Sequence, residues 1–309
     1  MYTDLVSPQT LAQSVIAVPP LARDANLKIS REENQKVISY LEAGGITTLL
    51  YGGNAVLAHV ALSEYADLLA MLAEQASDET LVIPSAGPAY GQMLDQAAIL
   101  KDFDFPTAMV LPQRETSTPA GVAVGVRRFA EALERPVVLY IKHDGYIAVD
   151  AVQDLMEDGL LSAIKYAVVR PNPREDQYLR EIVASVGPER IVSGMGEQPA
   201  IVHLREFGLS GFTSGCVCIR PDLSMRMLHA MQNADWESAD QIRETFSPLE
   251  DLRNDINPVR VLHEAVQQAG IADTGPILPL LSPLNDTQRE QVKQAAEALL
   301  QQTAIPQQI

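Results

Sequence analysis

The chain has 309 residues, 47% hydrophobic and 20% charged, so it is globular and long enough for one large barrel or two ordinary domains. Its formal charge of −17 argues against a nucleic-acid or anionic-membrane partner, since no basic patch exists to release counterions. No apolar run approaches the ~20 residues of a membrane span, and no charged-then-apolar leader opens the chain, so a cytoplasmic protein is expected.

After a polar leader, Ser14 to Val18 reads as a short buried strand closed by Pro19-Pro20. Residues 29–44 follow as a helix, with Ser30 as N-cap, Glu33 as its capping-box partner and Gly44 as its stop. Ile46 to Tyr51 is strand-like, Gly52-Gly53-Asn54 breaks it, and LSEYADLLAMLAEQA carries helical period. The unit then repeats. Apolar runs over 80–87, 106–112, 135–141, 160–169, 190–195 and 210–215 are each trailed by a helical stretch of ~10–15 residues. Eight continuous apolar strands alternating with helices predict a parallel sheet covered on both faces. The arrangement fits an α/β fold of the (β/α)8 TIM barrel type better than a doubly wound sheet, since no Gly-rich dinucleotide fingerprint follows the first strand. Beyond Ala234 the pattern is helical only: 235–253, 257–270, a proline-rich break from Gly275 to Pro283, and 284–302. The division expected is a barrel over 1–234 and a C-terminal helical extension over 235–309. Cys216 and Cys218 have neither zinc nor redox spacing and read as reduced structural thiols.

Chemistry in such a barrel sits at the C-terminal ends of the strands. There the sixth run, LLSAIKYAVV, strands Lys165 among apolar neighbours. Burying an ammonium costs several kcal/mol unless it is paired or deprotonated, and a neutral lysine is the group that forms Schiff bases with carbonyl compounds. The competing reading is a lysine whose stem follows the sheet and whose head snorkels out at the strand end. Tyr140, near the end of the adjacent fifth strand, can meet Lys165 in the barrel mouth and carry protons. The bare turn Gly52-Gly53-Asn54 suits a small carboxylate, with the Asn54 side chain as an added donor, although such turns are common. The strand-eight backbone near Thr213 and Ser214 is a second candidate for that carboxylate, while Arg114, His143, Asp144 and Arg170 fall in loops after strands and could set specificity. The segment Lys142-His143-Asp144-Gly145 reads equally as a solvated turn. His203, His229 and His263 fall on helices as structural residues, and His59 lies at a helix entry after strand two. Scattered histidines without carboxylates at ligand spacing predict no catalytic metal, and no cofactor is expected.

The order of these motifs resembles the pyruvate-dependent, Schiff-base-forming class I aldolases that include dihydrodipicolinate synthase and N-acetylneuraminate lyase. The resemblance spans nearly the whole chain. It rests on the glycine turn before LSEYADLL, the spacing from Leu111-Pro112 to Gly121, PVVLY ending at Tyr140, AIK ending at Lys165, SGMGE from Ser193 to Glu197, and GLSGFTSG ahead of Pro221. It implies imine formation at Lys165, proton transfer by Tyr140, a small-molecule 2-oxo acid partner and a homo-oligomer, dimer or tetramer. The departures bear on substrate. The family's G-T-T-G-E reads Gly52-Gly53-Asn54-Ala55-Val56, so Gly53 replaces a relaying hydroxyl; Y-N-x-P-x-R reads Tyr140-Ile141-Lys142-His143-Asp144-Gly145, without its arginine; and Gln113-Arg114 replaces a tyrosine pair. The expectation is a lyase, aldolase or dehydratase, acting on a 2-oxo or 2-keto-3-deoxy sugar acid rather than on the substrates of dihydrodipicolinate synthesis. The alternatives are a catalytically silent barrel that binds an oxo acid as a sensor or partner module, and an assembly role for the helical C-terminus.

Overall fold

Eight short parallel strands close on themselves in sequence order, the last pairing with the first. They are β1 (Ile16–Ala17), β2 (Thr48–Tyr51), β3 (Leu81–Ala86), β4 (Met109–Val110), β5 (Val137–Ile141), β6 (Leu161–Tyr166), β7 (Ile191–Ser193) and β8 (Gly211–Ser214) in a computed structural model that describes residues 1–302. Helix α1 (Pro8–Ala12) precedes the barrel. Helices α2 (Arg31–Ala43), α3 (Leu62–Gln75), α4 (Tyr90–Leu100), α5 (Pro119–Leu133), α6 (Val149–Glu157), α7 (Gln177–Val186), α8 (Glu197–Phe207) and α9 (Pro221–Gln232) each follow one strand. This is the (β/α)8 architecture expected from the alternation of apolar runs. The paired spans are shorter than those runs because an apolar stretch marks burial, not hydrogen bonding: β1 pairs over two residues of a longer buried segment.

Every residue of all eight strands is buried, so alternation cannot be seen in the sequence; register recovers it. Paired residues of neighbouring strands point to the same face. One face runs through Ser85↔Met109, Met109↔Val138, Tyr140↔Lys165, Lys165↔Val192 and Val192↔Gly211 to Thr213. The other carries Tyr166, Ser193 and Ser214, whose hydroxyls bond Asp176, His203 and Glu197 in the helical layer. The first face is therefore the barrel interior.

Three further helices follow: α10 (Trp236–Asp255), α11 (Pro258–Gln268) and α12 (Asp286–Leu300). Helix α10 packs on α8 and α9, and α11 and α12 pack on α10. The capping box expected at α2 is half formed. The Ser30 hydroxyl accepts the Glu33 N–H, but the Glu33 carboxylate bonds Lys36 and accepts the Asp273 N–H, which ties the C-terminal segment to the barrel wall.

Candidate active site

Lys165 stands directly abreast of Tyr140, with its Nζ 4.4 Å from the phenol ring centroid. It is 5% exposed and makes no hydrogen bond or ion pair among the described residues. Burial lowers its pKa from the ordinary lysine value, against a partly offsetting attraction to Tyr140, and the positive charges of Lys142 and Arg253 lower it further. Tyr140 is also buried. Burial opposes ionisation of its phenol, but the charges of Lys165 and Lys142 outweigh that effect and hold its pKa below the ordinary tyrosine value. The two groups titrate together, because the phenol is acidified by the same Lys165 charge that burial disfavours. Lys142, in the segment that reads equally as a solvated turn or a specificity loop, lies 5.9 Å from the Tyr140 centroid. Its spacing of two residues from Tyr140 is the available signal, because strand parity carried one residue beyond β5 aims it the same way.

Glycines make room around this pair. A Cβ at Gly194 would stand 3.0 Å from the Lys165 Cγ and 2.8 Å from the Ala167 Cβ, so only a bare backbone lets β7 pass this close to the lysine stem. At Gly52 a Cβ would stand 2.8 Å from the Met109 Cε, whereas Gly53 faces open space. The N–H groups of Gly53, Asn54 and Ala55 make no hydrogen bond among the described residues and remain as donors.

Several side chains expected at the site are engaged elsewhere. The Asn54 amide donates to the Val18 carbonyl at 2.8 Å, fastening the β2 turn to β1 instead of offering both N–H groups to a ligand. Thr213 keeps its inward position, but Ser214, one residue on, faces outward. Its hydroxyl donates to Glu197 at 2.8 Å and accepts the Val217 N–H, and adjacent strand residues point to opposite faces. Arg114 is exposed and its side chain has no hydrogen bond or ion pair among the described residues. His143 lies edge-on to Tyr146 with centroids 4.9 Å apart, its Nδ1 on the Asp144 carbonyl and its Nε2 buried without a partner. Arg170 bridges Asp144 and Asp176 and so braces the loop between β6 and α7. His59 and His229 are exposed, and His203 and His263 are buried on helices with Ser193 and the Gly275 carbonyl as partners.

The sequence reading missed a polar network behind β8. Glu197, fully buried at the start of α8, accepts the Ser214 and Ser224 hydroxyls at 2.8 and 2.6 Å. Glu250 of α10 accepts the Glu197 and Gln198 N–H groups, both at 3.0 Å, and so caps α8 from outside that helix. Burial and the nearby Glu197 carboxylate raise the Glu250 pKa. A Cβ at Gly196, whose φ of +88° favours glycine, would collide with this carboxylate. Arg253, one turn further along α10, lays its guanidinium against Gly215 and Cys216. Cys216 and Cys218 are free and buried, and burial pushes both thiols up, Cys218 to about 12.

The model of the dihydrodipicolinate synthetase family matches residues 13–299. The chain belongs to that family. Among curated relatives, the 4-hydroxy-tetrahydrodipicolinate synthase of Methanosarcina barkeri is 24% identical over 284 residues, covering 89% of this chain and 93% of the relative. That of Methanosarcina mazei is 23% identical over 275 residues, covering 87% and 91%. Among solved structures, dihydrodipicolinate synthase from Bacillus clausii superposes with a TM-score of 0.83 at 24% identity, covering 94% of this chain and 99% of that one. The enzyme from Oceanobacillus iheyensis gives 0.81 at 21%, covering 95% and 98%. At these identities the structural likeness concerns the fold. No helix among the described residues is long and apolar enough to cross a membrane.

Proposed function

We propose that the chain is a Schiff-base-forming lyase acting on a 2-oxo acid. The observation that carries this reading is the buried, unpaired Lys165 amine abreast of Tyr140 at the C-terminal mouth of a barrel in the dihydrodipicolinate synthetase family. The neutral amine of Lys165 attacks C2 of the oxo acid. The carbinolamine loses its oxygen as water, with Tyr140 supplying and withdrawing the protons, and leaves a protonated imine. That imine accepts an electron pair in either of two ways. In one, the C4 hydroxyl gives up its proton and the C3–C4 bond breaks, leaving an enamine that is then protonated at C3. In the other, C3 gives up a proton to form the enamine and the C4 hydroxyl departs with a proton as water. Addition of water to the resulting imine frees the product from Lys165. The carboxylate of the oxo acid is held by the turn at Gly52, Gly53 and Asn54, chiefly through its free backbone N–H groups, with Thr213 facing the same space. His143 and Arg114 stand in the loops above as candidates for contact with the distal part of the substrate.

The curated relatives named above are 4-hydroxy-tetrahydrodipicolinate synthases. The chain lacks an arginine in the segment after Tyr140 and has glycine at position 53, which supports a different oxo acid as its substrate. Borohydride reduction in the presence of pyruvate, followed by intact mass and peptide mapping, tests the proposal. An adduct on the Lys165 peptide, absent from Lys165→Ala, is expected. No adduct with pyruvate or a panel of larger oxo acids would overturn it.

A further inference from the structure

The C-terminal helix α10 brings a charged group to the barrel that the reaction above does not use. The Arg253 guanidinium takes up the space a side chain at position 215 would fill: a Cβ at Gly215 would stand 2.7 Å from one terminal nitrogen and 2.8 Å from the guanidinium carbon. Gly215 directly follows β8, and the positive charge of Arg253 is close enough to act on Lys165, so the guanidinium stands on the strand-eight side of the mouth. Its Nε donates to the Pro258 carbonyl at 3.2 Å, and one terminal nitrogen lies 3.8 Å from the Cys216 thiol, a weak acceptor. It makes no other hydrogen bond, and no carboxylate forms an ion pair with it, among the described residues. The acidic groups nearest to hand are otherwise engaged: Glu250 holds the start of α8 and Glu197 holds two serine hydroxyls. A half-buried guanidinium with one terminal nitrogen free of any protein partner and the other held only by a weak sulfur acceptor is open to a carboxylate, whose oxygens match its N–H groups.

The carboxylate next to the reacting carbonyl is not the one that needs this group. It lies one bond from the carbon that Lys165 attacks, and the open N–H groups of the β2 turn are placed for it. Arg253 is left for an anion further along the molecule. Resting on the Schiff-base reading above, we propose that Arg253 binds a second carboxylate of the substrate, remote from the reacting carbonyl, so that the substrate is a dicarboxylic 2-oxo acid. The C-terminal helical segment is then part of the binding site, and its attachment to α8 through Glu250 sets where the guanidinium stands.

The test compares acids matched in chain length, 2-oxoglutarate and 2-oxopentanoate, which differ in the terminal carboxylate. Half-saturation of borohydride trapping on the full-length protein is read by intact mass for wild type, Arg253→Met, Arg253→Lys and Gly215→Ala. Wild type is expected to favour 2-oxoglutarate by at least tenfold. Arg253→Met should weaken 2-oxoglutarate by roughly 10- to 100-fold, the worth of a charge-assisted pair, and change 2-oxopentanoate less than about threefold. Gly215→Ala, whose methyl pushes the guanidinium aside, should shift the preference the same way, and Arg253→Lys should fall between; these two carry the test if Arg253→Met does not fold. Equal trapping of both acids by wild type, or equal weakening of both in the variants, would overturn the proposal. The Schiff-base reading fails separately, if neither acid labels Lys165 in wild type. Unreactive glutarate then decides the anion site alone: it should raise the melting temperature of wild type and not of Arg253→Met, and no such difference would sink the inference.

Discussion

Replacing Gly194 with alanine tests whether the pose of Lys165 depends on a bare backbone at β7. The added methyl would meet the Ala167 Cβ at 2.8 Å, the Tyr166 carbonyl at 2.9 Å and the Lys165 Cγ at 3.0 Å. Ordinary contact needs roughly half an ångström more on each side. The backbone contact cannot relax cheaply, because the Gly194 N–H donates to that same Tyr166 carbonyl at 2.7 Å and continues the β6–β7 ladder. The lysine stem must therefore move. Overpacking of this kind costs about 1–3 kcal/mol, and a shift of about half an ångström at a nucleophile should slow imine formation by roughly tenfold, given that ~1 Å costs about 100-fold. Chemical denaturation reads the first quantity, and single-turnover trapping of pyruvate with a borohydride quench reads the second. Gly125→Ala is the control: it lies within α5, its Cβ would find only Tyr90 at 3.9 Å, and it should stabilise by ~0.5–1 kcal/mol without touching the rate. A Gly194→Ala protein with wild-type stability and wild-type trapping rate would refute the claim that β7 confines Lys165.

Tyr140→Phe keeps the ring beside the Lys165 amine but removes the proton carrier, so trapping should slow by roughly 100- to 10,000-fold while the protein stays folded; an unchanged single-turnover rate would remove Tyr140 from the mechanism. His203, buried against Ser193, has its pKa pushed down to about 4 by burial. The unfolded chain then binds the extra proton first, so the contribution of His203 is complete above about pH 6.5 and drains away as pH falls toward 4, by at most about 3 kcal/mol. Stability against pH for His203→Gln should be flatter over that window, and an identical curve would contradict the assignment. Burial opposes the charge of Asp176, but Arg170, the Leu179 N–H and the Tyr166 hydroxyl together hold its pKa below the ordinary carboxylate value. Asp176→Asn should cost ~1–3 kcal/mol at pH 7, and the deficit should shrink as pH falls through the lowered pKa of the wild-type carboxyl.

The barrel was legible because parallel strands covered on both faces read as unbroken apolar runs, and eight of them alternating with helices leave few architectures. What those runs hide is facing. Within SGFTSG, composition treats Thr213 and Ser214 alike, and only the register with β1 and β7 turns Thr213 inward and sends Ser214 to Glu197. Lys165 and Tyr140 could be paired from the sequence because each lies toward the C-terminal end of its strand, and adjacent parallel strands bring equivalent ends together. Asn54 illustrates a different gap. Its amide could have faced a ligand or the neighbouring strand, and the nearby Val18 carbonyl, left unpaired where β1 stops at Ala17, decides for the strand.

Arg253 lies 88 positions beyond Lys165 in a stretch that reads as an ordinary amphipathic helix, so nothing local marks it. Three placements together bring it to the mouth: Glu250 clamps α10 to the first turn of α8, Gly196 leaves room for that clamp, and Gly215 leaves room for the guanidinium. Each glycine in the sequence looks like punctuation after a strand. Their meaning appears only with the partner that fills the space, because the reason for a missing side chain sits on a helix more than thirty residues away. A chain of this family that kept Lys165 and Tyr140 but carried side chains at 196 and 215 would have to hold α10 in another way. The position of the C-terminal helix and the charge it presents are therefore a single structural choice, and a substitution at Glu250 should move the substrate preference assigned to Arg253 even though Glu250 itself faces the helical layer.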